Sequence, residues 1–179
     1  YSSGATDGSA QRASDNLGGA FGTLRSSGSG GHGSYWSMQS VSTDEMLVGV
    51  KGGDWYDGGI WINMHRHTFT STNGPIKDAW NQQYAAIGAC NTALADGGLN
   101  ADQVAQVRAL RAFFYFRLLD MYGRVKIVTT PGVDAPQATR AAVYDFVESE
   151  LLASLGISSV SMAMDLTSSP LGTSRDAYR

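Results

Sequence analysis

Three aromatic side chains that suit contact with a sugar lie within seven residues of one another, at Trp55, Tyr56 and Trp61. Glycines surround them, and glycine lets the backbone turn tightly and leaves aromatic faces uncovered. Polar side chains that can bond sugar hydroxyl groups are interleaved with the rings, at Asp54, Asp57 and Asn63. Flat rings beside a few polar groups are typical of small-ligand sites. We therefore predict that these six residues contact a ligand. The opposite interpretation, that the rings pin the loop onto neighbouring helices, stays open.

Two histidines, His65 and His67, are separated by a single residue. In an extended strand such residues point to the same side, and with Asp54 or Asp57 they could hold a metal ion. The sequence fixes no third ligand, so we predict neither a metal nor another cofactor.

Asp44 and Glu45 form an adjacent carboxylate pair. Neighbours on a chain usually point apart, whereas a glycosidase holds its two carboxyl groups ~5–9.5 Å apart across the bond that is cleaved. We expect Asp44 to cap a turn or a helix start instead. A nucleophile with its base, a phosphate-binding glycine loop and a zinc motif are also missing from the sequence. We therefore predict no catalytic residues and no enzymatic activity.

The composition limits the classes of partner. Hydrophobic residues make up 42% of the 179 residues, enough for a real core, and the net charge of −3 argues against a general nucleic-acid binder. The single cysteine, Cys90, excludes an intrachain disulfide and is expected to be a buried, inert thiol. The chain opens on Tyr1 without a signal peptide and stops within what reads as a starting helix. We expect a fragment whose targeting signal or lipid anchor lies outside it.

The spacing of apolar residues predicts an all-α chain built from helix pairs. A first helix at about residues 9–26 precedes a long irregular region rich in glycine and aromatic residues at 27–74. Two helices at 75–123 are joined by about five residues, which forces an antiparallel hairpin. A last helix at about 140–155, capped by Thr139, leads to a polar linker at 157–170.

Two arginines lie on the second helix of this hairpin, where most of the circumference is apolar. Buried guanidinium groups need partners, so we expect Arg108 and Arg111 to pair with Glu150 or Asp120. Trp80 and Tyr84 are at helical spacing on the first helix of the hairpin, and other apolar residues share their face. We expect both to be core residues.

Four patches of sequence, in order, resemble the SusD/RagB family of outer-membrane lipoproteins. The first patch joins STDEM at 42–46 to GGDWYDGG at 52–59, and the second is WNxxYxxIxxCN at 80–91. The third is RxxRAFFYFxLLxxYG at 108–123, and the fourth is RxxVYxFVxxEL at 140–151. Each patch alone is a weak signal, but four in order at plausible spacing are a strong one. The chain departs from the family after Tyr122-Gly123, where Arg124-Val125-Lys126 stands in place of an acidic residue followed by Val-Pro.

The resemblance implies the N-terminal third to half of a single domain that spans residues 1–179 here. Its implied architecture is a scaffold of tetratricopeptide-like antiparallel helix pairs that carries an irregular binding region. It also implies a surface-exposed outer-membrane lipoprotein of Bacteroidetes-type bacteria. Such a protein captures oligosaccharides for a SusC-like TonB-dependent transporter.

Other functions stay open at this point. The chain could be a family member that captures peptides, a helical scaffold whose only partner is a protein, or a hydrolase. The direction of Trp55, Tyr56 and Trp61 separates these hypotheses. Exposed rings in a cleft favour a sugar ligand, whereas buried rings favour a scaffold. A hydrolase would require two facing carboxylates in that cleft.

Overall fold

The computed structural model describes residues 4–28 and 33–156 of the chain. Every regular element in these ranges is helical, which confirms the all-α prediction. The elements in chain order are α1 (Gly4–Gly28), α2 (Tyr35–Val41), a 3-10 turn (Asp57–Gly59), α3 (Ile60–His65), α4 (Gly74–Ala95), α5 (Ala101–Tyr122) and α6 (Arg140–Leu155). The finer resemblance to tetratricopeptide pairs stays a prediction, and the linker predicted at 157–170 lies outside the described residues.

The three long C-terminal helices begin where polar side chains cap their first turns. Asn73 accepts a hydrogen bond from the backbone N–H of Ile76 at the start of α4. Asn100 and Gln103 form the reciprocal capping box that the sequence predicts at the start of α5. Thr139 accepts from the N–H of Ala142 at the start of α6. These local signals explain why the predicted and observed bounds of the three helices agree within a residue or two.

Helices α1, α4, α5 and α6 pack as successive neighbours, α1 on α4, α4 on α5 and α5 on α6. Side-chain contacts show that α4 and α5 are antiparallel. Asn91 near the end of α4 bonds Arg111 in the middle of α5, whereas Trp80 near the start of α4 packs on Tyr122 at the end of α5. The same reasoning applies to α5 and α6, since Arg111 bonds Glu150 while Tyr115 packs on Phe146. The predicted helix hairpin is thus extended by a third antiparallel helix.

The region predicted to be irregular, 27–74, is more ordered than expected. It contains α2, α3 and the 3-10 turn, which together pack against one another and against the start of α4. Helices of six or seven residues are too short to produce a readable apolar period. They are stabilised by packing, which the local sequence does not show. Helix α1 is also longer than the predicted 9–26, although six glycines lie within it, and its Leu17, Ala20 and Leu24 belong to the apolar core.

Two apolar clusters both include residues of α4. The larger one joins α1, α4, α5 and α6, and its fully buried members include Ile87, Cys90, Phe114 and Leu118. The smaller one joins α2, α3 and the loop between them, and its buried members are Val41, Val48, Trp61 and Met64. The smaller cluster anchors the segment that carries the predicted ligand residues.

Across the described residues, the helices are too short or too polar to cross a membrane.

Candidate ligand-binding site

The backbone of residues 52–59 turns back on itself through left-handed conformations. Gly58 and Gly59 have φ of 68° and 83°, which glycine adopts without steric cost. Trp55 and Asp57 also have positive φ, at 56° and 42°, where a residue with a Cβ is uncommon. The N–H of Gly59 donates to the carbonyl of Tyr56 at 2.6 Å and closes the turn. Such strain persists only where surrounding contacts hold it, and it is concentrated at functional sites.

Trp61 also holds this turn through a side-chain bond. Its indole Nε1–H donates to Oδ2 of Asp57 at 2.7 Å, and its side chain is 2% exposed within the smaller apolar cluster. A ring this deeply buried offers no face to a sugar. The stacking role predicted for Trp61 therefore does not fit the structure, because Met64 and the valines of the cluster cover it. Asp57 is exposed, but one of its carboxylate oxygens is engaged by this bond.

Trp55 and Tyr56 are the two predicted aromatic residues that reach solvent. Trp55 is 39% exposed and Tyr56 is 48% exposed. The Trp55 ring rests on Trp61, with 5.8 Å between the ring centroids and 41° between the planes. Asp54 is exposed beside them, and its backbone forms an isolated β-bridge with that of Lys51. We call Asp54, Trp55 and Tyr56 the loop face. It combines two rings with a carboxylate, which suits a ligand with both apolar and hydroxyl-bearing surfaces.

The remaining predicted residue, Asn63, lies on α3 and is exposed. Its side-chain oxygen accepts from the hydroxyl of Thr68 at 3.4 Å, so it also helps to close the turn after α3. The three loop-face residues are thus consecutive in the chain and exposed. Asp57 bonds the buried Trp61, on which Trp55 rests.

The histidines do not lie on an extended strand, so that expectation is wrong. His65 is the last residue of α3, and His67 has a left-handed φ of 55°. His65 Nδ1 lies 3.3 Å from the carbonyl of Val41, and His67 Nε2 lies 2.7 Å from that of Ser42. Both imidazoles therefore tie the end of α3 to the end of α2. In the part of the chain that the structure describes, no three His, Cys, Asp or Glu side chains form a group that could hold a metal.

Asp44 and Glu45 are both exposed in the turn after α2. The capping group seen in this turn is the hydroxyl of Thr43, which accepts from the N–H of Glu45 at 3.2 Å. Threonine hydroxyls close such turns by bonding the backbone two residues on.

A buried ion pair crosses the scaffold between α5 and α6, as the sequence predicts. Glu150 Oε2 accepts from Nε and Nη2 of Arg111 at 2.8 and 2.6 Å. Nη1 of Arg111 donates to Asn91 on α4 at 2.8 Å, which links all three helices. Arg108 adds a longer contact to Glu150 at 3.4 Å. The alternative partner, Asp120, bonds Tyr35 and Gln39 on α2 instead.

Burial keeps the thiol beside this network inert. Desolvation raises the pKa of Cys90 to about 12, although the positive charge of Arg111 acts in the opposite direction. A protonated thiol is neither a nucleophile nor a metal ligand at neutral pH. The predicted structural role of Cys90 fits this environment.

Two tyrosines hold the segment that follows α5, a function that the sequence prediction missed. The Tyr84 hydroxyl donates to the carbonyl of Lys126 and accepts from its N–H, both at 2.9 Å. The Tyr115 hydroxyl does the same for Val128, at 2.9 and 2.7 Å. Lys126 stands where the family resemblance expects proline, which would have no N–H to donate. Tyrosine hydroxyls at otherwise apolar positions of a helix are the signal that could have revealed this pairing.

We expect Tyr115→Phe to lower the free energy of unfolding by about 1–3 kcal/mol, because the partly buried N–H of Val128 would lose its partner and the carbonyl of Val128 would keep only the bond from Asn91. Burial raises the pKa of Tyr115 from 10.0 to about 12. The folded state therefore keeps a proton that the unfolded state loses, and this tyrosine's contribution to stability falls between pH 10 and about 12.

Urea denaturation of both proteins at pH 8 and over pH 10–12 would test this. The variant should lose less stability over the alkaline range than the wild type. Equal stabilities at pH 8 would show that the hydroxyl does not bond the backbone of Val128.

A family model described as SusD-like, starch-binding and associating with the outer membrane matches residues 34–177. The chain belongs to the SusD-like family. The match begins just before α2 and includes the loop face, the buried ion pair and the tyrosine-held segment. The resemblance found in the four sequence patches is thereby confirmed.

Individual SusD-like proteins also resemble this chain. SusD-like protein P2 of Formosa agariphila is 29% identical over 92 residues, which cover 48% of this chain and 18% of that protein. A solved laminarin-binding SusD-like protein is 26% identical with a TM-score of 0.69, over 82% of this chain and 33% of its own. Surface glycan-binding protein A from Bacteroides uniformis shares the fold with a TM-score of 0.67 at 23% identity, over 82% and 34%. This SusD-like chain therefore spans about a third of the length of these solved relatives.

Proposed function

We propose that this SusD-like chain is part of a non-catalytic surface protein that binds oligosaccharides through the loop face. The observation that carries the proposal is the exposure of Trp55 and Tyr56 on a turn that Trp61 holds from beneath. Exposed large aromatic rings that adjoin one another are a common feature of surfaces that bind another molecule. The indole face suits the apolar C–H face of a sugar ring, and the Asp54 carboxylate can accept from its hydroxyl groups.

The ligand class is supported by the family and by one relative. The matching family is described as starch-binding, and the relative with 26% identity is named as laminarin-binding. Starch and laminarin are both glucans that present flat apolar ring faces and equatorial hydroxyl groups. Both descriptions name binding and neither names a reaction. They favour a glucan over a peptide and a binding protein over a hydrolase.

We extend the proposal to the cellular setting that the family description suggests. In that setting the protein sits at the outer membrane through a lipid anchor and passes its glycan to a SusC-like TonB-dependent transporter. The family description, association with the outer membrane, supports the location. The transporter partner and the import function rest on the family resemblance alone.

A titration of the full-length protein with laminarin and with starch-derived oligosaccharides tests the proposal. We expect saturable binding of one glucan, and we expect Trp55→Ala to weaken it about 10- to 100-fold, since a stacked ring contributes on the order of 1–3 kcal/mol in the better-measured case of nucleobases. Isothermal titration calorimetry gives the affinity directly. Chromatography of the recovered glucan would show whether it stays intact.

The matched control is Trp36→Ala, because Trp36 is also exposed, at 46%, but lies on α2 outside the loop face. We expect this variant to bind like the wild type. Binding that survives Trp55→Ala unchanged would move the site away from the loop face. Binding of peptides with no response to either glucan would favour the peptide-capturing alternative, and cleavage of the glucan would favour a hydrolase.

A further inference from the structure

The loop face is connected to the smaller apolar cluster through Trp61. Trp61 is fixed by the smaller apolar cluster and offers the Trp55 ring a surface to rest on. The Asp57 carboxylate bonds the indole N–H of Trp61 at 2.7 Å. Asp57 therefore bonds the buried support and directly follows the exposed loop face in the chain.

The backbone of residues 55–59 adopts conformations that need support from side-chain contacts. Of the residues 55–59, four have positive φ, namely Trp55, Asp57, Gly58 and Gly59. Aspartate is among the few residues with a side chain that tolerate this region, whereas the same conformation is costly for tryptophan. A turn of this kind is not favoured by local sequence alone at Trp55, so tertiary contacts must hold it. Contacts that hold it include the bond from Trp61 to Asp57, the packing of the two indole rings and the bond from the N–H of Gly59 to the carbonyl of Tyr56.

We propose that Asp57 is a positioning residue, which orients the Trp55 ring for ligand through its bond to Trp61 and does not itself bond the ligand. The inference rests on the proposed function, because it assigns a role in the same site. Its physical basis is preorganisation: a ring that is already held in its binding orientation loses less conformational entropy when the ligand binds. The role needs only a hydrogen-bond acceptor at Asp57, not a negative charge.

The acceptor requirement separates the positioning role from a charge-based one. Asp57→Asn keeps an oxygen that can accept from the indole and a residue that tolerates a left-handed backbone. We expect it to bind the glucan with wild-type affinity. Asp57→Ala removes the acceptor, and we expect binding about tenfold weaker, the size of effect typical of one lost hydrogen bond to a charged group.

A double-mutant cycle with Trp61→Phe distinguishes action through the indole from direct contact with the sugar. Phenylalanine keeps an aromatic ring in the cluster but has no N–H to donate. If Asp57 acts through Trp61, Asp57→Ala has no further effect on affinity in the Trp61→Phe protein. If Asp57 bonds the sugar, its replacement weakens binding by the same factor in both backgrounds, and the inference is overturned.

A measurement without ligand keeps this inference separable from the proposed function. The full-length protein labelled with 5-fluorotryptophan gives one fluorine resonance for Trp55, assigned by its loss in Trp55→Phe. We expect that resonance to shift or broaden in Asp57→Ala and to return in Asp57→Asn. An unchanged resonance in Asp57→Ala contradicts the positioning role even when Trp55→Ala abolishes binding. A shifted resonance in a protein that binds no glucan supports positioning and contradicts the proposed function.

Discussion

Replacing Glu150 by alanine is expected to lower the free energy of unfolding by about 3–5 kcal/mol, because it leaves the Arg111 guanidinium buried without its counter-charge. Both side chains of this pair are 7% exposed, and Glu150 Oε2 accepts two hydrogen bonds from Arg111. Water cannot replace the lost carboxylate at such depth. The Arg111 side chain would also be less firmly oriented toward Asn91. The packing of α5 against both α4 and α6 would therefore weaken.

Urea denaturation of the full-length protein, followed by circular dichroism, measures the effect. Arg108→Ala is the matched control, because Arg108 pairs with the same carboxylate at 3.4 Å but its side chain is 39% exposed. Exposed pairs contribute about 0–1 kcal/mol. We also expect the double variant Arg111→Met, Glu150→Leu to recover most of the loss, since apolar residues of similar volume can replace a buried pair. Equal losses in Glu150→Ala and Arg108→Ala would show that the pair is hydrated.

Replacing Trp61 by alanine is expected to cost about 3–5 kcal/mol, the range for removing a large aromatic side chain from a core. Trp61 is the largest fully buried side chain of the smaller cluster, and its loss removes the surface on which Trp55 rests. We expect the variant to lose glucan binding as well, although Trp61 has no exposed face. Stability and binding would therefore fall together.

Thermal denaturation and calorimetric titration of the same full-length variant test both parts. Trp36→Ala removes the same side chain from an exposed position on α2, and we expect a change within about 0.5 kcal/mol, as is usual for surface substitutions. We expect Trp55→Ala to weaken glucan binding and to leave the stability near that of the wild type. A Trp61→Ala protein that still binds glucan with wild-type affinity would show that the loop face does not depend on its buried support.

These expectations separate the scaffold from the site that it carries. The ion pair and the two tyrosines that bond backbone act between long helices, and their loss should be seen first in stability. Trp61 belongs to both parts, because it is buried in a cluster and touches the loop face. Trp55 and Tyr56 lie at the surface, so their replacement should be seen first in binding.

The amino-acid sequence by itself determined the helices with strong local signals. Asn100 with Gln103, Thr139 and Gly156 mark helix ends through bonds and backbone conformations that involve only a few neighbouring residues. The apolar spacing determined that α5 is central, and the need of a buried guanidinium for a partner pointed to Glu150. The order of the four sequence patches determined the family, which the family model confirms.

Only the tertiary structure decided which aromatic side chains between residues 55 and 61 are exposed to solvent. Trp55 and Trp61 have the same side chain and similar glycine-rich surroundings in the sequence, yet one is exposed and the other is buried. The difference arises because α2, α3 and the loop between them bring Val41, Val48 and Met64 around Trp61. Helices of six or seven residues have no stable existence without such packing. Contacts between residues far apart in the chain thus set the direction of each ring. The local sequence pattern does not show these contacts.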